Sequence, residues 1–138
     1  MNMRNLYTQT LAVTALASAT LDDGANNGAT VDLGVNGNDF RDVLFVISTG
    51  TITDGSHAVT VQESANGTDW VPVPSNRILG SLPTIVAADD DKLFQVGARA
   101  GTARYVRLLV TTSGATDGGV VSAVAILGSG SNNPVARA

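Results

Sequence analysis

Short runs alternating apolar and polar residues, cut apart by Asn-Gly and Asp-Gly pairs, constrain this chain more than any other feature. The pairs are Asp23-Gly24, Asn36-Gly37, Asp54-Gly55, Asn66-Gly67 and Asp117-Gly118. Tight hairpin turns need residues at positive φ, and Asn-Gly and Asp-Gly supply them at little steric cost. Between these turns, a period of two marks strands near residues 10–17, 29–33, 42–49, 57–63, 71–72, 93–96, 105–111 and 120–127. Strands at such spacing close as antiparallel layers, not as strand–helix–strand units. The expectation is an all-β chain, an antiparallel β-sandwich of jelly-roll or immunoglobulin-like type with about eight strands and little or no helix. Only residues 75–92 read as a long connection, punctuated by Pro83 and closed by three aspartates.

The faces of the strands follow from the same period. "HAVTVQES" turns Val59 and Val61 inward and Thr60 and Gln62 outward, while "RYVRLLVTT" puts Val106, Leu108 and Val110 on its core face. "RDVLFVISTG" is apolar on both faces, as in a central strand covered on both sides. Arg104 and Arg107, three apart, leave their strand on opposite faces, so one is expected to pair with a carboxylate such as Asp42 or Glu63. Trp70, the single tryptophan, follows the Asn66-Gly67 hairpin and is expected to be mostly buried near Tyr105 or Phe94, packing the sandwich and not serving as a ligand platform.

The 138 residues suit one domain. We divide them into an N-terminal arm (1–9), a single sandwich domain (10–128) and a C-terminal arm (129–138). The opening segment imitates a short signal peptide, with Arg4, an apolar stretch from Leu11 to Leu16 and the small residues Ala17-Ser18-Ala19. Polar residues at 8–10 and 14 interrupt that stretch, and it reads better as a first strand with Leu11, Val13 and Ala15 on one face. No run approaches the ~18 apolar residues of a membrane helix.

Net charge is −4, and the eight basic residues form no cluster, so neither nucleic acid nor an anionic membrane is expected as a partner. Cysteine is absent, which removes disulfides and thiolate metal sites. His57 is the sole histidine, Glu63 the sole glutamate and Lys92 the sole lysine, so no acid–base pair or phosphate-binding loop can be assembled. Asp89, Asp90 and Asp91 are the one candidate for a hard-cation site, yet neighbours on an extended chain point to opposite faces, and a solvated acidic loop accounts for them. We expect no enzyme activity and no cofactor.

Two resemblances add to this. "SANGTDWVPV" followed by "ARYVRLLV" is similar to discoidin-like, galactose-binding β-sandwich modules, through Ser64, Asn66, Gly67 and Trp70 and then Ala103 to Arg107. In those modules such motifs build the sandwich, while sugar is held by variable loops that this chain does not share. A longer likeness runs through "GATVDLG", "DVLFVISTGTITDGSHAVTVQESANGTDW", "FQVG" and "ARYVRLLVTTSGATDGGVVSAVAILGSG". In these segments the chain resembles the capsid decoration, or cement, proteins of tailed bacteriophages. That likeness implies a virion protein on the capsid exterior, with the major capsid protein and neighbouring copies of itself as partners; the alternative is a carbohydrate-binding or host-attachment module of a spike or fibre. The arms carry little core pattern, so Leu6, Tyr7, Pro134 and Val135, with Leu82 and Ile85 from the long connection, form the expected capsid or subunit contacts.

Overall fold

A computed structural model describes residues 5–131 and 134–137. After one turn of helix, α1 (Leu6–Gln9), the chain forms the strands β1 (Leu11–Leu21), β2 (Gly24–Asn27), β3 (Val31–Asp32), β4 (Asp42–Ile52), β5 (Ser56–Ser64), β6 (Val71–Pro72), β7 (Ile78–Leu79), β8 (Thr84–Ile85), β9 (Leu93–Arg99), β10 (Tyr105–Ser113) and β11 (Gly119–Gly128). They make an antiparallel β-sandwich. One sheet has five strands in the order β1-β11-β4-β9-β7; the other has six, in the order β2-β10-β5-β6, with β3 added beside β10 and β8 beside β5.

The eight expected strands are present. The three extra ones, β2, β7 and β8, are two to four residues long and have no alternation of their own. They are strands because a long neighbour supplies their hydrogen-bond partners: β2 on β10, β7 on β9 and β8 on β5. The segment 75–92 is therefore a connection that visits the edge of both sheets, and not a loop.

Alternation sets the core. Val43, Phe45 and Ile47 of β4, Val121, Ala123, Ala125 and Leu127 of β11, and Val96 and Ala98 of β9 line the inner face of the first sheet. They share one buried cluster with Val59 and Val61 of β5 and Val106, Leu108 and Val110 of β10 on the second sheet. The long first strand breaks register at Ala15 and again between Leu16 and Ala19. Ala15 is buried there, and its carbonyl accepts the Ala29 N–H at 2.7 Å, so part of the free edge of β1 is covered.

The ends of the chain fold back on the domain. The carbonyl of Thr8 accepts the Val135 N–H at 2.8 Å. Asn38, fully buried, accepts the Ala136 N–H on Oδ1 and donates from Nδ2 to the Ala136 carbonyl, both at 2.9 Å. Val135 thereby enters the buried core cluster. The expectation that Val135 contacts something outside the chain's own core is corrected: an apolar side chain beside a satisfied backbone finds burial at home. Residues 1–4, 132–133 and 138 of the two arms lie outside the described residues.

Candidate interaction surface

The feature that sequence reasoning did not place is the outer face of the five-stranded sheet. With β4 turning Val43, Phe45 and Ile47 inward, Leu44, Val46 and Ser48 must point out. Register then aligns three rows across the sheet. Ala12, Ile126, Leu44, Gly97 and Leu79 form the first; Thr14, Val124, Val46 and Gln95 the second; Ser122, Ser48 and Leu93 the third. No ionisable side chain occurs in these rows. Leu93 is 60% exposed, Leu79 45% and Val124 43%, and among the described residues no further layer covers them. A shallow groove of about 550 Å³ is lined by Leu44, Ile126, Leu79 and Gly97, with Thr10, Asp42 and Gln95 at its margins. The apolar character of both faces of β4 is thus real, and among the described residues only the inner face is covered.

The outer face of the other sheet is polar. Arg107, Gln62 and Pro72 lie in one row, and Thr60, Leu109 and Asn27 in the next. Trp70 is partly buried on this side. Arg107 covers it, with the guanidinium carbon 4.3 Å from the ring centroid and Nε donating to Gln62 Oε1 at 2.8 Å. What screens the indole is therefore a cation and not Phe94. The hairpin leading to Trp70 is tied by its own side chains: Ser64 Oγ accepts the N–H groups of Asn66 and Gly67, and Asn66 Oδ1 accepts those of Thr68 and Asp69. Gly67 adopts φ +78°, as the turn requires.

Arg104 makes the expected ion pair, with a different partner. Its Nε and NH2 donate to the two oxygens of Asp32 at 2.7 and 2.8 Å, because β3 brings Asp32 into register with Tyr105. This bidentate bond to Arg104 holds the Asp32 carboxyl below its usual range. Glu63 is taken by Arg77 at 2.6 Å, which raises the arginine.

The groups with chemical potential are occupied in holding loops. His57 is fully buried; Nε2 lies 3.1 Å from the carbonyl of Asp54, and Nδ1 lies 2.8 Å from Thr112 Oγ1. A carbonyl only accepts, so Nε2 carries the proton it donates to Asp54, and the Thr112 hydroxyl is the partner of Nδ1. The Asp54 carboxylate accepts the N–H groups of Gly118, Asp117 and Thr116, and these bonds, led by that of Gly118, lower its pKa. "TDGSH" and "GATDGGV" are thus two halves of one clasp that closes an end of the sandwich. Gly118 is required there: it sits at φ +78°, and a Cβ would lie 2.3 Å from the Leu21 carbonyl oxygen.

Asp89, Asp90 and Asp91 do not converge. Asp89 accepts the Val86 N–H at 3.0 Å and Lys92 Nζ at 3.1 Å, and these two bonds, the first the stronger, lower its pKa. Asp90 accepts the Ile52 N–H at 2.6 Å, and Asp91 turns the chain at φ +51°. They latch the end of the connection to β4. Among the described residues no cluster of three metal-ligating side chains occurs.

Of the six expected contact residues, Leu6 (81% exposed), Tyr7 (71%), Leu82 (41%) and Pro134 lie at the surface, with Arg137 stacked 3.9 Å from the Tyr7 ring centroid. Ile85 is corrected along with Val135. It is wholly buried opposite His57, since pairing of β8 with β5 turns its side chain into the core.

No protein-family model and no curated protein matches the chain. Among solved structures, it is similar to the crystal structure of the SPBc2 prophage-derived protein YomS, with a TM-score of 0.54 and 16% identity over 86% of this chain and 91% of that one. It is also similar to a structure of the infectious bursal disease virus Gx strain, with a TM-score of 0.50 and 12% identity over 91% of this chain and 34% of that one. The chain thus spans about a third of the viral polypeptide. At such identities the likeness is one of fold, and the fold it shows is the two-sheet sandwich.

Proposed function

We propose that this protein is a structural component of a virion, a capsid decoration protein that seats on the outer surface of a tailed-phage major capsid shell and stabilises it. The observation that carries the reading is the uncovered aliphatic face of the five-stranded sheet, on a domain whose histidine and best-placed carboxylates are committed to its own loops. A sandwich built this way offers an extended surface for contact. The origins of its structural neighbours, a prophage and a virus, agree with such a role. The whole-chain resemblance to phage head proteins supplies the finer assignment. Shells repeat one site many times, so modest contacts per copy add up to a firm coat.

The test adds the purified protein to shells of the same particle stripped of it. Saturable binding at a symmetry-related copy number, with raised resistance to heat, supports the reading. Failure to bind, together with glycan binding by the isolated domain, replaces it with a host-attachment role.

A further inference from the structure

We propose that the aliphatic face of the five-stranded sheet is a self-interface, on which a second copy of this chain packs the same face about a two-fold axis. The inference rests on the same face as the decoration reading and names its occupant, a second copy of this chain.

Charge is the first argument. The chain carries a net charge of −4, and two copies repel unless their contact keeps those charges apart. The three rows contain only Ala12, Thr14, Leu44, Val46, Ser48, Leu79, Leu93, Gln95, Gly97, Ser122, Val124 and Ile126 in register. A neutral face is compatible with its own copy. The charges at its edge, Asp42 lining the groove and Arg99 opposite it, are of opposite sign, so a second copy can answer them in kind.

Shape is the second. A two-fold contact needs a projection and a matching recess within one patch. Val46 and Val124, side by side on β4 and β11, are the projection; the groove lined by Leu44, Ile126 and Leu79, with Leu79 packed down on Gly97, is the recess. Two sheets stacked at the usual ~10 Å interdigitate in this way. The rim is polar, with Asp42 opposite Arg99 at one end and Ser48 beside Ser122 at the other.

Size is the third, and it sets the strength. Four inter-strand spacings of ~4.8 Å make the face about 19 Å wide, and the seven residues of β4 from Asp42 to Ser48 give it about 20 Å of length. A patch of that outline is about 400 Å² per copy, or about 800 Å² in all, in the range of weak, transient contacts. The dimer is therefore weak, with a dissociation constant in the micromolar range or above.

Sedimentation of the full chain from about 1 µM to about 1 mM tests this, alongside methyl NMR over the same range. We expect reversible dimerisation, with shifts confined to the methyls of Leu44, Leu79, Val46, Val124 and Ile126. Val124→Asp, at an already exposed position, places two like charges in the contact and weakens the dimer by on the order of 100-fold. Thr111→Asp adds the same charge to the opposite sheet and leaves it unchanged; thermal melts confirm that both variants fold. If Val124→Asp does not fold, Leu93→Glu at the rim replaces it. A chain monomeric throughout, a dimer indifferent to the substitution, or shifts on the other sheet would overturn the proposal. A monomer that still coats shells overturns this inference and leaves the decoration reading standing; a dimer that ignores shells does the reverse.

Discussion

Ile85→Ala separates the two accounts of the segment 75–92, one in which Ile85 is a contact for a partner and one in which it is core. The side chain is 0% exposed and sits opposite His57, where β8 joins the edge of β5. The substitution removes three carbons, worth ~0.8 kcal/mol each on transfer to water, or about 2.4 kcal/mol. Strands on one side and a fixed histidine on the other resist collapse, so a cavity of about 60 Å³ adds about 1.4 kcal/mol. The expected loss is about 4 kcal/mol, a large part of what holds a domain of this size together. Urea unfolding reads it as a drop in midpoint at constant slope. Leu82→Ala, at a site 41% exposed three residues earlier, is the control and should stay within about 0.5 kcal/mol. An Ile85→Ala loss below about 1 kcal/mol, or one matched by Leu82→Ala, would refute the packing argument.

Three more predictions follow from the loops and the polar face. Gly118→Ala forces a Cβ against the Leu21 carbonyl at positive φ, and should lower the melting temperature more than Gly114→Ala, where φ is +67° but nothing lies within 4 Å; equal effects would mean that strain and not contact governs the site. Asp32, Asp54 and Asp89 all have pKa values lowered by folding, so their contribution is present above the unfolded value of ~3.9 and is lost as pH falls through the folded values. Melting temperature should therefore fall with acidification below about pH 4, and Asp54→Asn should flatten that fall; a pH-independent melt down to the point of precipitation contradicts the clasp. Arg107→Ala uncovers the Trp70 ring and should shift its emission to longer wavelength at a cost of about 1 kcal/mol, whereas an unchanged spectrum would mean that the stack does not screen the indole.

The fold was legible because long antiparallel strands are written locally. β4, β5, β10 and β11 alternate over nine to eleven residues, and the hairpin from β5 to β6 is tied by Asn66, whose side chain hydrogen-bonds its own turn. What was illegible belongs to partners. "GANN" is a strand only because β10 runs beside it, and "TI" at Thr84–Ile85 only because β5 does. Asp32 as the partner of Arg104 is a fact of register between segments 72 residues apart, which no spacing rule reports. The three aspartates advertised a cation site because carboxylates in series are its common signature, while their use here as caps depends on the donors N–H of Val86 and Ile52.

The same distinction explains how the candidate surface was both visible and misplaced. Apolar residues on both faces of β4 require two covers. A chain with enough helix supplies the second cover itself; this one spends its strands on two sheets and has four residues of α-helix among those described. Among the described residues, the first sheet therefore keeps Leu44, Val46, Val124 and Ile126 without a second layer, although the second sheet, under the same alternation, presents Arg107, Gln62 and Thr60. Solubility alone does not demand that contrast, since Thr and Arg would serve on either face. Retaining aliphatic rows in register across β1, β11, β4 and β9 keeps one face suited to a packed contact and the other suited to water. The sequence pattern is that of a strand covered on both faces, and among the described residues one of the two covers is present.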